Sequence, residues 1–246
     1  YIIAVIATEL GKVVSKETKI DILVTPLVTI GSGVAVSALL APTLGAIAMK
    51  VGDLIMLATN LQPFWMGIAV SVLVGVALTL PISSAAICAA FGLTGLAGGA
   101  TVAGCCAQMV GFAVMSFREN KWGGLVSQGI GTSMLQMGNI IKNPRIWIAP
   151  IVTSAITGPL ATCLFKLQMN GTPVSSGMGT CGLVGQIGVY TGWMNDIEAG
   201  TKSAVTAIDW IGLILISFVL PAVLCPLINM VVRKLGWVKD GDMTLS

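Results

Sequence analysis

Long runs of apolar residues alternate along the chain with short connectors that carry charges or prolines. An α-helix needs about twenty apolar residues to cross the ~30 Å hydrocarbon core of a bilayer, and these runs have that length. They predict spanning helices over residues 22–49, 63–80, 98–117, 145–167 and 204–232, preceded by the end of another span over residues 1–10. The pattern therefore predicts an all-α, polytopic membrane protein.

Two stretches, 50–62 and 122–142, are less regular and mix charged or amide side chains with apolar ones. This composition favours helices at the membrane interface, and we expect the second to lie either there or along a cavity. The chain opens in apolar residues without a basic region or an initiating methionine. We therefore expect native sequence upstream of Tyr1.

Composition supports a membrane location. Hydrophobic residues make up 55% of the 246 and charged residues only 9%, whereas about 25% of an ordinary soluble domain is charged. So few charges exclude a water-soluble domain and predict the lipid bilayer as a partner. The net charge of +3 is small and scattered, which excludes a basic face for nucleic acid. All six tryptophans fall near predicted helix ends, as in an aromatic belt.

A short motif occurs twice, as P-I-S-S at 81–84 and P-V-S-S at 173–176, and each copy leads into the spacing Cys-x3-Gly-x2-Gly-x3-Gly, from Cys88 and from Cys181. The duplication predicts two related units, 50–117 and 122–232, each with an interfacial helix, spanning helices and a broken segment. Residues 1–49 precede these units, and a basic tail, 233–246, follows them. Chance recurrence of small residues, which are common in membrane helices, remains the alternative.

The broken segments predict where a solute would bind. Interrupted backbone at membrane depth is tolerated only where protein or a water-filled cavity satisfies it, and paired interruptions in two halves mark transporter sites. We therefore expect 81–95 and 173–188 to be re-entrant hairpins. The basic residues then predict that the loop 118–121 and the tail share the cytoplasmic side. Whether the two units are parallel or inverted stays open.

No cofactor is expected from the residue types present. There is no histidine, and the six cysteines form no C-x-x-C pair, so no metal site is predicted. The G-x-G-x-x-G match at 177–182 follows no strand, and no phosphate-binding G-x-x-x-x-G-K-[ST] occurs. No catalytic residue is visible, which disfavours a membrane-embedded enzyme, although a part in a larger enzyme system stays open.

Neutral polar side chains are the candidate ligands. Hydroxyl and amide groups match an uncharged polyol, donor for acceptor, without the penalty of burying an ion. We expect the solute to lie between the two hairpins, held by Ser83, Ser84, Asn170, Thr172, Ser175, Ser176 and Gln186. Amides of the same class occur at Gln108, Gln128, Gln136 and Asn139.

The Pro-Ser-Ser segments, the F-R-E-N connector at 117–120 and the N-G-T-P stretch at 170–173 carry a family resemblance. The chain resembles the EIIC membrane component of the bacterial sugar phosphotransferase system, in the branch of perfringolysin-O-regulator-like proteins. The resemblance implies a homodimeric, multi-pass permease in the bacterial plasma membrane, with solute contacts on the hairpins. It also implies cytoplasmic EIIB and EIIA partners that carry the phosphoryl group. Family members commonly hold the sugar with a histidine and a glutamate, and the absence of histidine leaves phosphorylation of the cargo open.

Two functions remain. The first is a permease for a sugar or a similar small polar solute. The second is a membrane sensor or regulator that keeps the same fold and binds a solute without transporting it.

Overall fold

The computed structural model describes residues 2–15 and 21–245; Tyr1, residues 16–20 and Ser246 lie outside the described residues. Helices dominate this part of the chain, and it contains no β-strand. The α-helices are α1 (Ile2–Val14), α2 (Asp21–Leu61), α3 (Pro63–Thr79), α4 (Ser84–Phe91), α5 (Gly95–Met115), α6 (Phe117–Val126), α7 (Met137–Lys142), α8 (Ile148–Pro159), α9 (Pro173–Ser176), α10 (Val184–Glu198), α11 (Ala207–Ile214) and α12 (Leu220–Lys234). Short π-helical segments cover Ser127–Gly131, Leu160–Leu164 and Leu215–Val219, and short 3₁₀ segments cover Ser133–Gln136, Pro144–Trp147 and Cys181–Leu183. The all-α prediction is confirmed.

Three predicted spans are confirmed in length and composition. Among the described residues, Gly95–Met115, Pro144–Leu164 and Ala207–Lys234 are helices long and apolar enough to cross a bilayer. They correspond to the predicted spans 98–117, 145–167 and 204–232. Pro63–Thr79 is also apolar, but its 17 residues stand at the lower limit for a span.

The chain divides into two compact units, Tyr1–Val51 and Gly52–Ser246. In the first, α1 packs closely on α2 through small side chains. A Cβ on Gly11 would lie 2.1 Å from Oγ1 of Thr29, and one on Gly33 would lie 3.4 Å from Cβ of Ala7. Small residues of this kind let two membrane helices approach closely. The division into two related repeats, 50–117 and 122–232, stays a prediction.

The predicted separate interfacial helix at 50–62 is wrong, because α2 continues unbroken from Asp21 to Leu61 and contains both Pro26 and Pro42. Between Pro42 and Pro63 no further proline interrupts it, and strong helix formers such as leucine, alanine and methionine are frequent. The helix ends next to Gln62 because a residue before proline is disfavoured in the helical region.

Helix α5 forms the centre of the second unit. Of its apolar stretch, 94% is buried inside the protein, so it faces other helices rather than lipid. It packs on α3 at Gly104, where a Cβ would lie 1.9 Å from the carbonyl oxygen of Ser71. Helix α8 joins the same contact, since Ser71 Oγ donates to the Ser154 carbonyl at 2.8 Å and a Cβ on Gly158 would lie 2.3 Å from the Gly67 carbonyl oxygen. Glycines thus bring three backbones together at the core.

The stretch 122–142 is not one amphipathic helix. Within α6 the backbone leaves the helical region at Lys121, with φ 52° and ψ −152°. The π-helical segment Ser127–Gly131 follows, and Thr132 then starts the 3₁₀ segment by accepting a hydrogen bond from the Met134 N–H. Glycines are frequent here and weaken a regular helix, which explains the break.

The C-terminal residues 235–245, which we call the strap, pack on the protein and do not extend the helix. Asn120 Nδ2 donates to the Met243 carbonyl at 2.8 Å, and its Oδ1 accepts from the Leu245 N–H at 2.8 Å. Gln136 also donates to Met243, at 3.0 Å, and Asn139 donates to the Thr244 carbonyl at 3.0 Å. The amides at 136 and 139 therefore hold the strap.

Ion pairs add to this attachment. Arg233 at the end of α12 pairs with Glu119 at 2.9 Å and also contacts Asp240 in the strap. Glu119 in turn accepts from the Gly241 N–H at 3.0 Å. The tail and the 117–120 connector thus lie together, in agreement with their predicted shared side. That this side is the cytoplasmic one stays a prediction.

The strap should be loosened around Asp242 in acid, because Asp242 is one of its anchors. The Lys239 N–H donates to Asp242 at 2.8 Å, and Asn143 does so at the same distance. The backbone bond from Lys239, helped by Asn143 and the charges of Lys239 and Arg233, outweighs partial burial and lowers the pKa of Asp242. A lowered pKa means that the contribution of Asp242 to the attachment is fully present above the ordinary value and is lost as pH falls through the lowered one. We expect hydrogen exchange of residues 236–245, corrected for intrinsic rates, to rise only below about pH 4.

The matched variant for this pH test is Asp242→Asn, which cannot change charge. Its strap should exchange faster than the wild type at pH 7 and should show less additional exchange in acid. Equal acid profiles for the two proteins would assign the pH response to another group.

Candidate functional site

The two Pro-Ser-Ser segments contact each other against the middle of α5. Ser84 Oγ donates to the Gly177 carbonyl at 2.7 Å, and Cys105 Sγ lies 3.6 Å from the same oxygen. A side chain at Gly177 would be excluded, since its Cβ would lie 2.6 Å from the Ser84 carbonyl oxygen. The structure therefore brings the two predicted segments together at one buried carbonyl.

Local hydrogen bonds explain how each segment begins. Ser83 caps α4, because its Oγ accepts from the Ala86 N–H at 3.1 Å. Gly92 ends α4 in the left-handed region, with φ 61°, as is common at a helix C-terminus. Pro173 stands at the first turn of α9, where its missing N–H is tolerated.

Helix α4 is too short to cross the membrane, because its eight residues extend only about 12 Å. Re-entry of either segment stays a prediction.

Most of the predicted hydroxyl ligands are already paired inside the protein. Thr172 Oγ1 and Ser175 Oγ lie 2.8 Å apart, and Ser176 Oγ donates to the Pro173 carbonyl at 2.7 Å. Ser83 is exposed and serves as the cap, whereas Ser84 is buried and bonded to Gly177. These groups shape the contact between the segments, and none of them lines the cavity described next.

A separate polar cavity has a volume of about 480 Å³. Its walls are the connector that follows α8 and its π-helical extension, the end of α10, the turn that precedes α11, and the start of α11. The lining residues are Phe165, Lys166, Leu167, Gln168, Asn170, Trp193, Asp196, Thr201, Lys202 and Asp209. Of the residues predicted from sequence to bind solute, Asn170 alone belongs to this lining.

The connector 165–172 is fixed on α5 by backbone contacts. Gly95 and Met169 exchange two N–H to C=O bonds of 3.0 Å each, which form an isolated antiparallel bridge. Gly99 allows the approach, since a Cβ there would lie 1.8 Å from the Leu167 carbonyl oxygen. The bridge places Asn170, the next residue, at the cavity wall.

Charged and amide groups face each other in the cavity. Asn170 Nδ2 donates to both carboxylate oxygens of Asp196, at 3.1 and 2.8 Å. Lys202 Nζ pairs with Asp209 at 2.8 Å and lies 5.5 Å from the ring centre of Trp193. Asp209 also closes a capping box with Thr206, which fixes its position at the start of α11.

Aromatic rings support one wall. Trp193 is only 2% exposed, and its ring meets Trp210 edge to face, with centres 5.3 Å apart. Sequence reasoning missed Trp193, Asp196 and Lys202 as site residues. A signal was present: charges at 196, 202 and 209 cluster beside two tryptophans at the start of an apolar span.

Gln186 lies on the same face of α10 as Trp193, about 10 Å further along the helix. Its Nε2 donates to Cys106 Sγ at 3.2 Å, while its Oε1 is buried and has no hydrogen-bond partner in the described chain. Ser217 Oγ, in the π-helical segment of the last span, is likewise buried, and its interaction with the Cys106 thiol leaves its further hydrogen-bonding capacity unused among the described residues. Groups left this way at membrane depth can accept bonds from water or a solute hydroxyl.

Comparison with known proteins supplies the family. No similar protein of curated function and no similar solved structure was found. The family model described as "Phosphotransferase system, EIIC" matches residues 1–245, which is nearly the whole chain. The chain therefore belongs to the EIIC family of the phosphotransferase system and is a permease-type membrane component.

Proposed function

We propose that this protein translocates a sugar or a similar small polar solute across the bacterial plasma membrane. The polar cavity is the observation that carries the proposal. Its volume of about 480 Å³ falls within the range of small-molecule sites, about 300–1,000 Å³. Its amide, carboxylate and ammonium groups match the hydroxyl groups of a sugar, donor for acceptor.

Each cavity residue has a role in this proposal. Asp196 accepts bonds from solute hydroxyls, and Asn170, already oriented by Asp196, donates and accepts through its amide. Trp193, which is buried, supports Lys202 from behind the cavity wall. The ion pair of Lys202 and Asp209 neutralises those two charges, and Lys166 and Asp196 add one charge of each sign. The lining as a whole is therefore neutral, so an uncharged solute is favoured over an ion.

The path onward leads along α10. Gln186 Oε1 would accept, and Ser217 Oγ would accept or donate, the next hydrogen bonds with a solute that moves deeper. The two Pro-Ser-Ser segments, which the sequence predicts to be re-entrant, would form the floor of the path where Ser84 contacts Gly177. During transfer, each buried polar group would exchange a hydrogen bond within the protein for one with the solute, so that no buried polar group is left unpaired.

The partners follow from family membership. EIIC proteins in general act on sugars together with cytoplasmic EIIB and EIIA proteins, and we propose the same partners here. Phosphoryl transfer would reside on those partners. A homodimer and membership of the perfringolysin-O-regulator-like branch belong to the same proposal.

The test combines binding with transport. The purified protein is screened against a panel of radiolabelled sugars and polyols, and any that bind are then tested for uptake into proteoliposomes containing the protein. We expect at least one solute to bind and to accumulate faster than in protein-free vesicles. Binding without uptake, with or without EIIA and EIIB added, would favour the sensor, and no binding by any panel member would reject the class of solute.

A further inference from the structure

A second cavity, of about 640 Å³, lies at the opposite end of the last span from the polar cavity. One wall is the end of α5 with α6, and the other is the last turns of α12. We call it the basic cleft, lined by Val114, Met115, Phe117, Arg118, Leu125, Pro226, Asn229, Met230, Arg233 and Lys234. None of these residues belongs to the proposed solute site.

The cleft carries uncompensated positive charge. Arg233 is neutralised, because Glu119 and Asp240 both pair with it. Arg118 and Lys234, in contrast, form no ion pair with any residue that the structure describes, and both are exposed. Two cations at the mouth of one cavity attract an anionic ligand.

A buried amide inside the cleft lacks a partner. Asn229 is only 5% exposed, lines the cavity, and has no side-chain hydrogen bond within residues 2–15 and 21–245. Its amide atoms are not among the fully enclosed unpaired ones, so they reach the cavity surface, where a ligand group can bond them. The amide can donate to an ester or phosphate oxygen and accept from a hydroxyl.

The remaining lining is apolar and continues along the membrane. Val223, Leu227 and Met230 follow one another on one stripe of α12 and are 50%, 49% and 51% exposed. On a spanning helix such a stripe faces acyl chains, and it leads into the cleft beside Lys234. Free phosphate or a soluble anion would make no use of it.

We propose that the basic cleft is a binding site for an anionic phospholipid. Arg118 and Lys234 hold the phosphate, Asn229 bonds the glycerol or ester region, and an acyl chain lies along Val223, Leu227 and Met230. Cations at the end of a span stand at headgroup level, where basic pockets between helices bind acidic lipids. The site is independent of the proposed solute and of its transport.

The experiment measures lipid binding to the intact chain. The protein is purified in a neutral maltoside detergent, stripped of lipid and titrated with dioleoyl phosphatidylglycerol or dioleoyl phosphatidylcholine, with native mass spectrometry counting the bound molecules. We expect phosphatidylglycerol to bind at lower concentration than phosphatidylcholine. Arg118→Ala and Lys234→Ala should each weaken phosphatidylglycerol binding about fivefold and leave phosphatidylcholine binding unchanged.

Lys142→Ala is the control, because it removes an exposed cation from α7, outside the cleft; it should bind phosphatidylglycerol like the wild type. Asn229→Ala, which keeps every charge, should weaken phosphatidylglycerol binding several-fold. Inorganic phosphate at millimolar concentration should not displace the lipid. The proposal is overturned if the two lipids bind equally, if Lys142→Ala matches Arg118→Ala, or if inorganic phosphate displaces the lipid and is therefore the ligand.

Discussion

Alanine in place of Gly104 is expected to lower the free energy of unfolding by about 3 kcal/mol. The added Cβ would lie 1.9 Å from the carbonyl oxygen of Ser71 and 2.6 Å from its carbonyl carbon. These are backbone atoms, so no rotamer change relieves the clash, and α3 must move away from α5. That movement would also disturb the 2.8 Å bond from Ser71 Oγ to the Ser154 carbonyl on α8. The measurement is unfolding of the purified protein in mixed micelles with increasing sodium dodecyl sulfate.

Gly138→Ala is the matched control for this variant. Gly138 lies in α7, and a Cβ there would meet nothing within 4 Å. The same chemical change should therefore leave stability unchanged or raise it by about 0.4–1 kcal/mol, through the lower entropy of the unfolded chain. Gly111→Ala should fall between the two, since its clash is with the Cys225 side chain at 2.3 Å. If Gly104→Ala were as stable as Gly138→Ala, the close packing of α3 on α5 would be wrong.

The spans could be predicted because they depend on composition alone. The runs 98–117, 145–167 and 204–232 contain almost no charge. In a membrane, a single apolar run of this length satisfies its own backbone hydrogen bonds only as an α-helix. The boundary in α2 could not be predicted, because Lys50 and Asp53 give residues 50–62 the mixed composition of an interfacial helix. The structure instead continues the helix through them, since two charges do not stop helical hydrogen bonding.

The irregular stretch 122–142 shows a different limit. Its polarity predicted a cavity-facing or interfacial helix, but Gln136 and Asn139 bond to Met243 and Thr244, more than a hundred positions away in sequence. Gln108 is likewise occupied, because its Oε1 accepts from Trp147 Nε1 at 2.8 Å. Amide side chains do not reveal from sequence whether they serve a ligand or a distant segment of the same chain.

The repeated glycine spacing also does not fix backbone conformation. In the first copy, Gly92 and Gly95 have φ of 61° and 60°, in the left-handed region, at the end of α4 and at the start of α5. Their counterparts by spacing, Gly185 and Gly188, lie inside α10, where they allow close approach of Gly179 and Ser175. Equal spacing therefore only places small residues at matching positions of the two copies of the motif. The role of each glycine depends on the helices around it.

The candidate site was only partly predictable for a related reason. Hydroxyl side chains near a helix start commonly bond to local backbone, as Ser83 and Ser176 do here. Asn170 differs because the bridge between Gly95 and Met169 holds it at a cavity wall. That bridge joins residues far apart in sequence, so its effect on Asn170 could be found only in the structure.

Substitution of Asp196 by alanine is expected to weaken solute binding about 10- to 100-fold. The carboxylate accepts two bonds from Asn170 and is proposed to accept a solute hydroxyl, and a hydrogen bond to a charged group contributes about 1.5–3 kcal/mol. Its loss also leaves the Asn170 amide without the partner that orients it. Asp196→Asn should be milder, because the amide keeps one acceptor oxygen. Isothermal titration with a solute identified in the screen gives the affinities.

Asn195→Ala supplies the control for Asp196→Ala, since Asn195 is the exposed neighbour on α10 and does not line the cavity. It should bind solute like the wild type, and all three variants should unfold at similar detergent concentrations because each position lies near the helix end.

Gln186→Ala distinguishes binding in the polar cavity from binding deeper in the protein. If Gln186→Ala abolishes binding while Asp196→Ala does not, the solute rests beside Cys106 and Ser217, in the interior, and the polar cavity is only its entrance.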